Sequence, residues 1–98
     1  MPASLEEIRR ELRTLLPELR RRYPVAALGV FGSYARGEQH EGSDLDLLVD
    51  FDGPIDFFRF IELEEEIGAR LGVRVEIVSR PALKPRIGEH ILAEVVPV

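Results

Sequence analysis

At 98 residues the chain has room for one domain, expected over 1–98, with a single core and no means of enclosing a bulky substrate on all sides. A formal net charge of −5 excludes stable nucleic-acid binding through a broad cationic surface, and the absence of cysteine excludes a disulfide framework or a thiolate zinc site. Glu6, Glu7, Arg9 and Arg10 interrupt the first apolar residues, so there is no signal-peptide core. No apolar run is long enough to span a bilayer, and a cytoplasmic protein without membrane contact is expected.

Ser4 and Glu7 form a capping-box pattern, and Leu5, Ile8, Leu12, Leu15, Leu16 and Leu19 recur at three- and four-residue steps. A helix is predicted to about Arg22, with a kink or break near Leu16 ahead of Pro17, and Arg20 to Arg22 complement its dipole. Val25 to Phe31 reads as a buried strand, Ser33 to Arg36 as one or two helical turns, and Glu38 to Ser43 as a loop. From Asp44 to Phe51 the pattern alternates. Leu45, Leu47, Val49 and Phe51 share one face, and Asp44, Asp46, Leu48 and Asp50 the other, which predicts a sheet packed on one side and largely open on its acidic side.

A helix is predicted from about Ile55 to Leu71, burying Phe57, Phe60, Ile61, Leu63, Ile67 and Leu71, with Gly72 as its C-cap. Glu62, Glu64, Glu65 and Glu66 read as its solvated face, and Glu66 is spaced to pair with Arg70. Val73 to Ser79 alternates as a third strand. Pro81 and Pro85 mark a turn or helix start, followed by a helix over Ile87 to Glu94 and an apolar tail, Val95 to Val98. The order predicts an α/β (α+β) fold, a small mixed sheet with helices on one face.

The chemistry gathers between Gly32 and Asp46. Asp44 and Asp46 leave the same side of a strand, where two carboxylates about 5 Å apart repel by roughly 3 kcal/mol at an effective dielectric near 20. A hard divalent cation reverses that sign, since Mg²⁺ is commonly held by one or two carboxylates together with substrate phosphates. Gly32-Ser33 follows a strand and opens a short helix, so its N–H groups and the Ser33 hydroxyl suit an anion. Arg36 either touches phosphate or pairs with Glu38. If the apolar sides of both strands face the helices, Glu76 emerges beside Asp44 and Asp46 as a third oxygen ligand. Ser33 also suits a helix cap, Glu76 a plain exposed strand position, and His40 and His90 have no metal-ligand partner at suitable spacing.

Gly32-Ser33-Tyr34-Ala35-Arg36-Gly37 followed by Ser43-Asp44-Leu45-Asp46-Leu47 resembles the nucleotidyltransferase superfamily typified by DNA polymerase beta, and within it the minimal nucleotidyltransferases. The resemblance continues through the helix to Leu71, the Val75-Glu76-Ile77-Val78 strand and the Ala93-Glu94-Val95 segment. It implies the polymerase-beta-like fold, Mg²⁺ in two ions on Asp44 and Asp46, and triphosphate on Gly32 and Ser33. Arg36 and Ser43, within the same motif, join the candidate nucleotide-binding residues, and the third acidic position falls on Glu76 where family members usually carry Asp. The implied setting is an antitoxin paired with a helical HEPN-domain toxin, sometimes inactivating it by transferring AMP from ATP to a tyrosine.

Three functions follow. The first is Mg²⁺-dependent transfer of AMP from ATP to a protein acceptor; the second is an antitoxin that neutralises its partner by contact alone; the third is one subunit of a small-molecule, antibiotic-type nucleotidyltransferase. All three expect an oligomer with itself or with another chain, because an open acidic face and an apolar tail need covering.

Overall fold

The first helix is set by its ends. Ser4 Oγ accepts the Glu7 N–H at 3.2 Å while the Glu7 carboxylate reaches back to the Ser4 N–H, completing the capping box. The resulting helix, α1, spans Leu5–Arg22. In the computed structural model, which describes residues 3–80 and 85–98, it continues through Pro17 instead of breaking near Leu16. Pro17 removes one backbone bond, but Leu12 and Leu15 before it and Leu19 after it are almost wholly buried. Packing of that stripe outweighs the missing bond.

Strands β1 (Val25–Phe31) and β2 (Leu45–Phe51) flank the one-turn helix α2 (Ser33–Arg36), and α3 (Phe57–Leu71) leads to β3 (Val75–Ser79). Then come α4 (Pro85–Glu94) and the short β4 (Val96–Pro97). The sheet order is β3-β2-β1-β4; β1 is antiparallel to β2 and β4, and β2 is parallel to β3, so the sheet is mixed as expected. The turn expected at Pro81 lies outside the described residues, whereas Pro85 is the first residue of α4, a position that tolerates its missing N–H.

α3 starts two residues later than predicted because Asp56 accepts the Arg59 N–H at 2.8 Å and caps it there. Ile55 packs against the core from the preceding loop. Leu63 and Ile67 are buried and Phe60 and Leu71 partly so, but Phe57 is 65% exposed. It shares the stripe's direction yet lies one turn beyond its first core member, Phe60. The acidic run on α3 is not a merely solvated face either: Glu66 pairs with Arg22 of α1, Arg70 with Glu18 at 2.9 Å, and Glu64 accepts the Ile77 N–H at 2.9 Å. Partners on α1 displace the expected Glu66–Arg70 pair.

Leu28 and Val30 of β1, Leu45, Leu47 and Val49 of β2, and Val75 and Ile77 of β3 form the core with α1 and α3. The opposite face is less open than the alternation suggested. Register sets Gly29 beside Leu48 and Phe31 beside Asp46, and Leu48 is only 2% exposed. Its cover comes from the same chain. β4 pairs with β1, and a Cβ on Gly29 would sit 2.5 Å from Val95 Cγ2, so the glycine makes room for the C-terminal segment. Arg9 Nε and Arg13 Nε of α1 donate to the Pro97 and Val98 carbonyls at 3.0 and 2.9 Å. The apolar tail expected to need another chain is thus paired internally.

Gly29→Ala should therefore destabilise the chain by about 1–3 kcal/mol through overpacking. Adding Val95→Ala should restore part of the loss in urea unfolding, since the two side chains compete for one space.

Candidate active site

Where β1 ends, Gly32 turns the chain into α2 at φ 76° and ψ −153°, a conformation open to glycine. A side chain would also collide, because a Cβ would lie 2.2 Å from Asp46 Oδ2. The backbone of the Gly-Ser turn is therefore laid directly against a carboxylate. Ser33 is the first residue of α2 and not its cap; Gly32 holds the cap position with no side-chain bond, and its carbonyl accepts the Ala35 and Arg36 N–H groups at 3.1 and 3.2 Å, so among the described residues the Ser33 and Tyr34 N–H groups are the ones left without an acceptor. Gly37, at φ 71°, closes the helix.

Asp46 projects from β2 in register with Glu76 of β3, which sends both side chains to one face. Asp44 stands one residue ahead of β2, where the Leu45 N–H donates to the Arg74 carbonyl at 2.8 Å and ties the strand's entry to β3. Asp46 feels its surroundings strongly. Burial, then the charges of Glu76 and Asp44, push its pKa up to about 6, while Arg36 opposes the rise. The three predicted acids thus meet electrostatically around Asp46. Among the described residues no three Asp, Glu, His or Cys side chains converge closely enough to grip an ion in this arrangement. Mutual repulsion opposes closer approach, and cations stand nearby instead: Arg74 Nε is 3.8 Å from Asp44, and Arg36 acts on Asp46.

Arg36 pairs with Glu38, Nε to Oε1 at 2.6 Å, one of the two partners weighed from the sequence. A second, Glu94, was not anticipated. Its carboxylate accepts the Gly32 N–H at 2.9 Å and lies 3.0 Å from Arg36 Nη1. Burial alone would raise the Glu94 pKa, but the Gly32 N–H and the Arg36 guanidinium hold it below the usual carboxylate range. No spacing rule links residues 62 apart; the sequence signals were the position of Glu94 just ahead of the apolar tail and its place in the Ala93-Glu94-Val95 segment of the family resemblance, neither of which assigns it a role. Ser43 closes the turn that delivers Asp44: its hydroxyl accepts the His40 N–H at 2.9 Å and its own N–H donates to the His40 carbonyl at 3.0 Å. His40 and His90 are exposed and away from any metal-type arrangement among the described residues.

An acid-lined strand beside a glycine-serine turn, on a four-stranded mixed sheet, defines the class. Residues 12–96 match the family model for the nucleotidyltransferase domain, and the chain belongs to that family. It is similar to the protein adenylyltransferase MntA of Thermococcus cleftensis, 50% identical over 93 residues that cover 95% of this chain and 94% of the relative. A solved structure described as a minimal nucleotidyltransferase superposes with a TM-score of 0.80 at 40% identity, covering 98% of this chain and 97% of the other. A chain from the complex of tri-AMPylated Shewanella oneidensis HEPN toxin with MNT antitoxin shares the fold, at a TM-score of 0.69 and 18% identity over 92% of this chain and 70% of that one. The chain is accordingly a nucleotidyltransferase, with the fold expected from its sequence.

The Asp46 pKa carries a stability consequence. Because the folded value, about 6, exceeds the ordinary 3.8, the folded protein binds this proton more tightly than the unfolded chain, and the associated stability is lost as pH rises toward and past 6. Asp46→Asn should thus unfold at a higher temperature than the parent at pH 8. The gap should narrow as pH falls through 6 and level off below about 4.

Proposed function

We propose that this chain is a Mg²⁺-dependent enzyme that transfers AMP from ATP to a protein acceptor, and that it serves as the antitoxin of a pair whose other member is a HEPN-domain toxin. The observation that carries this reading is the contact between the Gly32 backbone and the Asp46 carboxylate, which puts a phosphate-facing turn and an acidic cluster in one place. The donor set fits the ion: carboxylate oxygens only, as hard divalent cations prefer, with burial and then the charges of Glu76 and Asp44 raising Asp46. Asp44 and Asp46 would hold two Mg²⁺ ions, with Glu76 as the third ligand. When bound, the ions neutralise triphosphate charge and increase the acidity of the acceptor hydroxyl.

The chain's own residues supply the rest. The Gly32-Ser33 turn, through the Ser33 N–H and hydroxyl, and the Arg36 guanidinium orient the triphosphate, and Ser43 holds the loop that places Asp44. Glu76, exposed on the face of Asp46, accepts the proton of the acceptor hydroxyl. The acceptor oxygen bonds to the α-phosphorus as the bond to the β-phosphate's bridging oxygen breaks, and pyrophosphate departs. A protein acceptor is supported by the name of the Thermococcus relative and by the AMPylated toxin in the fold neighbour. Residues 1–98 serve as one catalytic domain, and the setting is the cytoplasm, where ATP is available; among the described residues no helix is long and apolar enough to cross a membrane.

Asp44→Asn and Asp46→Asn should each lower Mg²⁺-dependent AMP transfer to the partner by at least about a hundredfold while the circular dichroism spectrum is retained. Labelled ATP, with the transferred mass read on both proteins, provides the measurement. Variants that transfer nothing yet protect against the toxin as well as the parent would replace catalysis with neutralisation by contact, and transfer to a small molecule with no protein acceptor present would favour the antibiotic-type reading.

A further inference from the structure

The C-terminal segment reaches the phosphate-facing turn through a carboxylate to which the reaction above gives no part. Glu94 Oε1 accepts the Gly32 N–H at 2.9 Å, and Arg36 Nη1 lies 3.2 and 3.0 Å from its two oxygens. The other edge of the same guanidinium is fixed by Glu38, 2.6 Å from Nε. Among the described residues Arg36 Nη2 has no hydrogen-bond partner, which leaves it as the nitrogen able to meet a further anion.

We propose that Glu94 is a positioning residue for nucleotide transfer, holding the Gly32 peptide and the Arg36 guanidinium in the arrangement that receives the triphosphate. The proposal rests on the reading that the Gly32-Ser33 turn and Arg36 bind those phosphates. Its physical basis is the rigidity of the turn. Gly32 is the residue whose backbone freedom is widest, and an acceptor on its N–H fixes the peptide plane that precedes the donors of α2. Arg36 is long and exposed, and two carboxylates together remove much of its rotamer freedom before any ligand arrives.

Glu94 is not needed to dock the segment that carries it. β4 is already joined to β1 by the Gly29–Pro97 and Val30–Val96 pairs, Val95 fills the space over Gly29, and Arg9 and Arg13 hold the last two carbonyls. These contacts deliver Glu94 to the turn, and its bonds to Gly32 and Arg36 are additional. Compensation by an N–H and a guanidinium also lets an anion stand beside a phosphate site without repelling it outright. The rival, a carboxylate that occupies the phosphate's own place, predicts the opposite change in affinity.

The test measures ATP binding to the full chain by calorimetry, once with EDTA and once with Mg²⁺, for the parent, Glu94→Ala, Glu94→Gln and Arg80→Ala. The last breaks the Arg80–Asp50 pair on the same sheet face and serves as a control. Glu94→Ala should weaken Mg²⁺-supported ATP binding about tenfold, with EDTA as the low-affinity baseline for every protein, and Glu94→Gln, which keeps an oxygen for the Gly32 N–H, should recover part of it. Arg80→Ala should bind as the parent does, and the Gly32 amide resonance should shift or broaden in Glu94→Ala while the rest of the amide spectrum stays dispersed. Unchanged binding in Glu94→Ala overturns the proposal, and tighter binding overturns it in favour of competition with phosphate. Collapse of the amide spectrum in both Glu94 variants would make Glu94 a purely structural tie. A parent protein that binds no ATP removes the nucleotide reading and this one with it, whereas a parent that binds ATP and a Glu94→Ala variant that matches it removes this one alone.

Discussion

The approach of the Gly32 backbone to the Asp46 carboxylate is the constraint to which the other local features answer. It requires a residue without a side chain, because a Cβ at that point would be 2.2 Å from Asp46 Oδ2. It requires β1 and β2 to be hydrogen-bonded neighbours with Phe31 opposite Asp46, so that the turn leaving one strand falls beside the acid on the next. It also concentrates charge. A carboxylate half removed from water, with Glu76 in register and Asp44 two residues away, is held near a pKa of about 6. Such an arrangement contributes nothing favourable to folding above that pH, and the buried stripes of α1 and α3 must offset it.

The scaffold meets that cost with ordinary means. One sheet face is packed continuously under α1 and α3, while the other is divided between the acidic cluster and a patch where Leu48 and Gly29 lie under the C-terminal segment. That division follows from β1's sequence: Gly29 between Leu28 and Val30 leaves a gap on the far face that a tail residue fills. The tail then does two things at once. It covers apolar surface, as Val95, and it brings Glu94 to the turn. Stability and site geometry are therefore coupled through one short strand.

Much of this was legible in the sequence where a local rule applied. Period-two alternation placed Asp46 and Glu76 on one face, the capping box began α1, and Gly72 ended α3, since each depends on residues within a few positions of one another. The errors share a different cause. Continuation of α1 past Pro17, the exposure of Phe57, the pairing of Glu66 and Arg70 with α1, and the closure of the tail on β1 are all settled by tertiary contacts between distant segments. Glu94 belongs to this group. Its segment resembles the family's, but nothing in its neighbourhood gives it a role until the fold sets it against Gly32 and Arg36. The helix-cap alternative for Ser33 fell for a subtler reason: the glycine before it takes the cap position, so the serine enters the helix itself.

The balance of charge around the turn gives the proposed chemistry its direction. Five carboxylates, those of Glu38, Asp44, Asp46, Glu76 and Glu94, act on or lie within this small region, against two guanidinium groups, Arg36 and Arg74. A polyanionic nucleotide entering alone would add to the excess and be disfavoured by repulsion from acids that, after burial, also raise Asp46. A nucleotide entering with divalent cations would reverse it, because each ion offsets acids and phosphates together. The protein's acids and the proposed substrate's phosphates are thus held apart without cations and drawn together with them. On this reading, binding and metal dependence are two consequences of one placement of charge, which together with burial also raises the Asp46 pKa.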